Sequence, residues 1–192
     1  MHTQATILIV PGLRDHVEEH WQTLLQKKLA KVRSVPPLTE NKLDCRARID
    51  NIQRQVEAID DDIILVAHSA GCLMVAHWAA HYGGDIKGAL LVAPPDMNAD
   101  WPPQYPTPDS LRQQGWDPLP TSPLPFPSIL AASTNDYLAS FSAATEMAAI
   151  WGSRLVNLGD VGHLNPASGF GPWPMAETLI EQLDSCAEPC VL

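Results

Sequence analysis

The apolar run at residues 63–67, with the short segment that follows it, constrains the fold more than any other part of the sequence. Its five side chains, Ile63-Ile64-Leu65-Val66-Ala67, include no polar residue at alternate positions. This pattern predicts a strand buried on both faces, which is typical of parallel sheets covered by helices. His68-Ser69-Ala70-Gly71 separates this strand from an apolar helix that ends near Gly83-Gly84. The segment is therefore expected to form a sharp strand-to-helix turn.

Similar apolar runs recur along the chain, and helical patterns fall between them. Strands are predicted at residues 5–10, 32–35, 86–92, 128–133 and 154–158, and helices at about 18–31, 45–59, 139–151 and 174–183. Strands that alternate with helices favour right-handed βαβ units. We therefore expect an α/β protein with about six mainly parallel strands and helices on both faces. A chain of 192 residues suits a single domain, 1–192.

One segment, residues 94–127, interrupts this alternation. It holds 11 of the 18 prolines, which excludes a long helix or an interior strand. It also holds four aromatic residues, which a disordered linker would not need: Trp101, Tyr105, Trp116 and Phe126. An ordered excursion over the carboxyl edge of the sheet is favoured, because ligands of open α/β folds bind at that edge. The four aromatic side chains are therefore candidates for the substrate pocket.

Ser69 is the candidate nucleophile. The segment Ala67-His68-Ser69-Ala70-Gly71 matches the G-x-S-x-G nucleophile elbow, with alanine in place of the first glycine. Small residues are needed two positions before and after the serine, because the turn presses its flanks together. A serine that merely caps a helix after a strand is the alternative interpretation of this residue taken alone.

Two later loops carry the other groups that a serine nucleophile needs. Asp136 follows the strand predicted at residues 128–133, and His163 follows the last predicted strand. The chain order Ser, Asp, His is that of the α/β-hydrolases and differs from that of chymotrypsin and subtilisin. Asp96 also follows a predicted strand and competes for the role of the acid. Asp136 is favoured because its strand directly precedes the strand that leads to the histidine.

An oxyanion hole for such a nucleophile requires two backbone donors. The N–H of Ala70, at the start of the helix after Ser69, is one candidate. The other is expected in the loop after the first strand, Pro11-Gly12-Leu13-Arg14, where Gly12 allows the backbone to approach closely. The N–H of Leu13 is the predicted second donor.

Several motifs, in this order, resemble the small serine hydrolases related to retinoblastoma-binding protein 9. They are Val10-Pro11-Gly12, His20-Trp21, residues 66–72, Thr134-Asn135-Asp136 and Gly162-His163-Leu164-Asn165. The resemblance covers nearly the whole chain. It implies a compact three-layer α/β-hydrolase fold without a large cap, and a triad that falls on Ser69, Asp136 and His163. Leu13-Arg14 departs from the Gly/Asn-rich turn of some relatives.

The composition disfavours other classes of protein. Twelve basic and 22 acidic residues give a formal charge of −10, which argues against binding to nucleic acid or to an anionic membrane. No apolar run is long enough to span a bilayer, and the first residues do not form a basic leader. The four scattered cysteines are expected to be reduced, as in a cytoplasmic protein.

Metal and cofactor sites are not predicted. His77 and His81 are four residues apart on a helix, but no glutamate lies between them in an H-E-x-x-H pattern. Cys186 and Cys190 form a pair without partner ligands. Cys72 is interpreted as a buried helix residue, and His68 as a side chain that packs at the sheet edge.

The sequence thus predicts a serine hydrolase that forms an acyl-enzyme on Ser69. A small carboxylic ester, thioester or amide is the expected substrate, and no cofactor is implied. Two alternatives stay open: a non-catalytic interaction protein that keeps the hydrolase fold, and an acyltransferase that uses the same three side chains.

Overall fold

The strands form the frame that positions every other part of the molecule. A computed structural model describes residues 3–185. Its strands are β1 (Thr6–Val10), β2 (Val32–Ser34), β3 (Ile63–His68), β4 (Gly88–Val92), β5 (Ser128–Ala132) and β6 (Arg154–Asn157). All neighbouring pairs are parallel, in the order β2-β1-β3-β4-β5-β6. The prediction of about six mainly parallel strands is confirmed.

Residues 3–185 form six α-helices, five of which cover the two faces of this sheet. They are α1 (Trp21–Lys28), α2 (Cys45–Glu57), α3 (Ala70–Tyr82), α4 (Pro108–Leu111), α5 (Phe141–Trp151) and α6 (Met175–Ser185). Side chains of α2, α3 and α5 pack against one face of the strands, and those of α1 and α6 pack against the other face. The arrangement is therefore three-layered, with the sheet in the middle.

Local signals explain where the helices begin and end. Helix α1 is shorter than the predicted 18–31, because His20 caps it: its Nδ1 accepts the N–H of Gln22 at 3.2 Å. Asp44 and Ser140 cap α2 and α5 in the same way, as the short polar side chains preferred at this position. Gly83 ends α3 in the left-handed conformation, with φ of 81°.

The central strands are buried on both faces, as the lack of alternation predicts. In β3, Leu65 and Ala67 belong to the core under α2 and α3, whereas Ile64 and Val66 belong to the core under α1 and α6. All six residues of this strand are buried. Burial of a whole aliphatic side chain contributes about 1.5–3 kcal/mol, so this strand anchors both cores.

The sheet order places a crevice at the end of β1 and β3. From β1 the chain first moves to β2 at one edge and then returns to β3 on the other side of β1. Connections leave the two central strands in opposite directions at this point, and ligands of open α/β sheets bind in such a crevice. Residues 11–20 after β1 and Ser69 after β3 both lie there.

The Pro-rich excursion between β4 and β5 is ordered and forms part of the core. Leu111 and Trp116 are fully buried, and Phe126 is 5% exposed. Helix α4 starts at Pro108, where a proline is tolerated because the first turn needs no donor. A single wide turn, Arg112–Trp116, continues it.

Two further features of the described residues concern the membrane and the thiols. None of the helices formed by residues 3–185 has the length and apolarity needed to cross a bilayer. Cys45 and Cys72 are buried free thiols. Cys186 and Cys190 lie outside the described residues.

Candidate active site

Ser69 sits on a strained turn between β3 and α3. Its backbone has φ of 56° and ψ of −131°, a conformation that costs an L-residue about 1–3 kcal/mol. The N–H of Ser69 donates to Val92 O at 2.9 Å, so the neighbouring strand β4 helps to hold the turn. This geometry separates Ser69 from an ordinary helix cap, because its side chain makes no capping hydrogen bond to α3.

Gly71 and Gly12 permit the close packing around this turn. A Cβ on Gly71 would clash with Val10 O and lie 2.9 Å from Pro11 O. A Cβ on Gly12 would lie 3.3 Å from the Cβ of Ser69. The loop after β1 therefore touches the turn after β3 through backbone atoms, which explains the need for glycine on both sides.

The three side chains predicted for catalysis form one hydrogen-bonded chain. His163 Nε2 lies 2.8 Å from Ser69 Oγ, and His163 Nδ1 lies 2.8 Å and 3.0 Å from the two carboxylate oxygens of Asp136. The side chains of His163 and Asp136 are 2% and 3% exposed. The carboxylate can only accept here, so Nδ1 carries the proton and Nε2 can take the proton of the serine hydroxyl.

Short hydrogen bonds fix the two loops that carry Asp136 and His163. Asn135 Oδ1 accepts the N–H of Gly162 at 2.6 Å, which joins the loop after β5 to the loop after β6. Ser168 Oγ accepts the N–H of His163 at 3.1 Å. Asp136 Oδ1 also accepts the N–H of Leu138 at 2.9 Å, and this bond orients the carboxylate.

Asp96, the competing acid, has a different role in the structure. Its carboxylate accepts the N–H of Asn98 at 2.8 Å, and its backbone carbonyl accepts Trp101 Nε1–H at 2.8 Å. Asp96 therefore shapes the first turn of the excursion. It makes no hydrogen bond to His163 among the described residues.

The structure places the predicted oxyanion donors on either side of Ser69. Ala70 is the first residue of α3, and its N–H has no acceptor within the helix. Leu13 follows Gly12 in the loop after β1. Within residues 3–185 neither N–H donates a hydrogen bond, and both residues line the cavity that opens at Ser69.

That cavity has a volume of about 350 Å³. Ser69 and His163 lie in its wall, and the apolar part of the wall comes from three different loops and includes Val17, Leu43 and Leu138. Trp101 and Tyr105, from the excursion, also line it, as predicted for the substrate pocket. The size of the cavity suits a small acyl group.

The other two aromatic residues of the excursion require a correction. Trp116 is fully buried and its Nε1–H donates to Leu43 O, whereas Phe126 packs against Trp78. Neither residue lines the cavity, so the expectation that they contact substrate is wrong. The physical reason is that the second half of the excursion returns to the core between α2, α3 and α5.

Three polar groups beside the cavity form a hydrogen-bonded set that was not predicted from the sequence. The hydroxyls of Tyr105 and Tyr137 lie 2.9 Å apart, and Asn165 Nδ2 donates to the Tyr137 hydroxyl at 2.9 Å. The ring of Tyr137 lies 5.5 Å from that of His163. These contacts join the excursion to the histidine loop. Tyr105 is among the predicted pocket residues and Asn165 belongs to the Gly162-His163-Leu164-Asn165 motif, whereas Tyr137 is the residue that the sequence analysis does not single out.

Two more histidines pack behind His163. The His68 ring lies 4.9 Å from that of His163 and 4.5 Å from that of His20. His68 Nε2 donates to His163 O at 2.8 Å, so His68 supports the histidine loop. Burial, with a smaller contribution from His163, lowers the pKa of His20 to about 4, and burial also lowers the pKa of His68.

We expect these histidines to weaken the protein in acid. Between pH 6.5 and 4 an unfolded chain protonates a histidine that the folded protein keeps neutral, so stability present above pH 6.5 is lost as the pH falls. For His20 the full loss is about 3 kcal/mol. Urea unfolding at pH 7 and at pH 4.5 measures this loss in the free energy of unfolding. The control is His20→Asn, which retains a capping oxygen and does not titrate. The prediction is contradicted if both proteins lose the same free energy of unfolding between pH 7 and pH 4.5.

The candidate metal ligands His77 and His81 and the alternative nucleophile Cys72 do not line the cavity at Ser69. His77 Nε2 bonds to Trp116 O at 3.2 Å and burial lowers the His77 pKa. Among the described residues no three His, Cys, Asp or Glu side chains form a group able to hold a metal. Cys72 is fully buried, and burial raises its pKa, which disfavours a thiolate.

Comparison with known families identifies the chain. The sequence pattern of the family described as serine hydrolase matches residues 7–182. The chain belongs to this family. No curated protein sequence matches the chain significantly.

Solved structures of hydrolases share the fold of this chain. A YdeN-like hydrolase from Pectobacterium atrosepticum is 30% identical, with a TM-score of 0.82, and the match covers 97% of this chain and 94% of that one. The ydeN gene product from B. subtilis is 20% identical, with a TM-score of 0.71 and coverage of 94% and 99%. A monoacylglycerol lipase from Paleococcus ferrophilus is 14% identical, with a TM-score of 0.63 and coverage of 96% and 97%. The predicted α/β-hydrolase fold is confirmed.

Proposed function

We propose that this member of the serine hydrolase family cleaves a small carboxylic ester, thioester or amide through an acyl-enzyme on Ser69. The observation that supports this most directly is the continuous hydrogen-bonded chain from Ser69 through His163 to Asp136. A protein that only bound partners would not need a strained serine in hydrogen-bond contact with a buried histidine and carboxylate. The narrower relation to retinoblastoma-binding protein 9 remains a prediction.

In the first half of the reaction Ser69 Oγ attacks the acyl carbonyl carbon. His163 Nε2 takes the hydroxyl proton, and Asp136 stabilises the imidazolium and holds its Nδ1–H. The carbonyl oxygen becomes an oxyanion, which accepts hydrogen bonds from the N–H groups of Leu13 and Ala70. When the tetrahedral intermediate collapses, the bond to the leaving group breaks and His163 donates the proton to that group.

The second half repeats these steps with water. His163 removes a proton from water, whose oxygen attacks the acyl carbon, and Ser69 leaves with the proton that His163 returns. The acid product is released, and no atom is left on the enzyme. An acyltransferase would use the same groups with another acceptor in place of water.

The cavity limits the size of the acyl group that this site accepts. A volume of about 350 Å³ lies at the lower end of the range for ligand pockets. Trp101 and Tyr105 form part of its wall, so a short or medium acyl chain fits better than a long one.

A fluorophosphonate probe tests the proposal. We expect native protein to form a covalent adduct, because the probe phosphonylates activated serines and releases fluoride. Peptide mass spectrometry should locate this adduct on Ser69. Ser69→Ala and urea-unfolded protein should give no adduct. Folded native protein that fails to react, or that reacts at another serine, would refute the assignment of Ser69.

A further inference from the structure

Two basic side chains, those of Arg14 and Lys42, differ from the other arginines and lysines because they have no polar partner among the described residues. All arginines and lysines of the sequence lie within the described residues 3–185. The side chains of Arg14 and Lys42 make no hydrogen bond or ion pair with any described residue, whereas the side chain of each of the others does. Both residues are exposed, so their side chains are accessible to a ligand in a protein whose formal charge is −10.

Both unpaired cations line the cavity that holds Ser69. Arg14 directly follows Leu13, the proposed oxyanion donor. Its guanidinium carbon lies 5.1 Å from the centroid of the Tyr105 ring, and that ring lies 6.3 Å from the ring of His163. Arg14 is thus held near the reacting groups by an aromatic face. Stacking of this kind leaves the N–H donors in the guanidinium plane free for a ligand.

No carboxylate of the described residues forms an ion pair with Arg14 or Lys42. Asp15 is the one carboxylate in the wall of the cavity, and it forms an ion pair with Arg48 at 2.5 Å. The side chains of this pair are 13% and 5% exposed, so the pairing is largely shielded from water. The wall therefore carries a net positive charge in an otherwise acidic protein, which attracts an anion.

We propose that the substrate carries an anionic oxygen group, such as a carboxylate, a few atoms away from the scissile carbonyl, and that Arg14 and Lys42 bind this group. The inference rests on the proposed function, since it concerns the substrate class of the same site. Arg14 supplies two parallel N–H donors to the anion, and Lys42 supplies a second positive charge at the cavity. The anion takes no part in the acyl transfer; it binds and orients the substrate.

Two matched pairs of esters test this proposal. The 4-nitrophenyl monoester of adipic acid and 4-nitrophenyl hexanoate have the same acyl length and differ in a terminal carboxylate. The hexanoates of 4-hydroxybenzoate and 4-hydroxybenzamide place the charge on the leaving group instead. We expect kcat/KM of the charged ester to exceed that of its neutral match at least tenfold in one pair, which also shows on which side the anion lies. This ratio should fall as NaCl is added.

Variants assign the effect to residues. Arg14→Gln should lower the ratio about tenfold or more, and Lys42→Gln should lower it severalfold, because a charged hydrogen bond is replaced by a neutral one. Arg14→Lys should restore part of the ratio. The matched control is Lys31→Gln, which removes an exposed charge that is paired with Asp61 away from the cavity. It changes the net charge equally and should leave the ratio unchanged.

The outcomes separate this inference from the proposed function. If Ser69 reacts with the fluorophosphonate and neutral hexanoate esters are cleaved, but neither charged ester is preferred, the proposal of an anionic substrate is wrong. The same conclusion follows if a preference exists and Arg14→Gln leaves it intact. If no ester is cleaved and Ser69 gives no adduct, it is the proposed function that fails.

Discussion

Replacement of Asp136 by asparagine is expected to lower kcat by about 10³- to 10⁴-fold. The carboxylate accepts Nδ1–H of His163 at 2.8 Å and 3.0 Å, and the amide of asparagine has one oxygen in the same place. An amide nitrogen facing His163 favours the tautomer with the proton on Nε2, which cannot accept the proton of Ser69. The amide also lacks the charge that balances the imidazolium. Steady-state hydrolysis of 4-nitrophenyl hexanoate measures the loss.

Asp96→Asn is the matched control for this experiment. It makes the same isosteric change in a carboxylate that accepts an N–H from its own turn at 2.8 Å, so kcat should stay within about tenfold of the parent. Thermal unfolding of both variants separates loss of chemistry from loss of structure. If Asp96→Asn shows the large loss of kcat and Asp136→Asn does not, Asp136 is not the acid.

Replacement of Gly71 by alanine is expected to disable the turn that presents Ser69. The new Cβ would meet the carbonyl oxygens of Val10 and Pro11, which are backbone atoms at the end of β1 and cannot swing aside. We expect the free energy of unfolding to fall by about 3 kcal/mol. Displacement of Ser69 by about 1 Å should lower kcat/KM by on the order of 10²-fold. Urea unfolding and ester kinetics on the same preparation provide both numbers.

Gly171→Ala shows whether such losses are specific to the turn. A Cβ at Gly171 would have Leu24 Cδ1 at 3.8 Å as its nearest neighbour, which is ordinary van der Waals contact. This variant should unfold within about 0.5 kcal/mol of the parent and keep its activity. An equally stable and active Gly71→Ala protein would contradict the account of the elbow.

Much of this fold and site was predictable because each signal is local. Uninterrupted apolar runs such as Ile63–Ala67 mark strands that are buried on both faces, and the structure agrees. Ser69, Asp136 and His163 each lie in a turn or loop that follows a predicted strand. Parallel strands end at one edge of a sheet, so residues far apart in sequence had to lie at that edge. The structure brings the three side chains into hydrogen-bond contact.

What could not be predicted depends on contacts between distant segments. The excursion enters the cavity with Trp101 and Tyr105 and then returns to the core with Trp116 and Phe126, and both halves are rich in proline. Nothing in the composition separates them. The unpaired state of Arg14 is likewise a property of the folded molecule, because it depends on which carboxylates come near.

The split path of the excursion has a consequence for how this scaffold can be redesigned. Residues 98–107 reach the cavity through Trp101 and Tyr105, whereas residues 111–126 supply fully buried core side chains such as Leu111 and Trp116. A swap of the whole insertion between relatives would therefore remove a piece of the interior together with the substrate wall. Libraries that diversify only residues 98–106 keep these fully buried side chains and the Thr107 cap of α4, so this stretch is the segment to vary when the selectivity of this enzyme is to be changed.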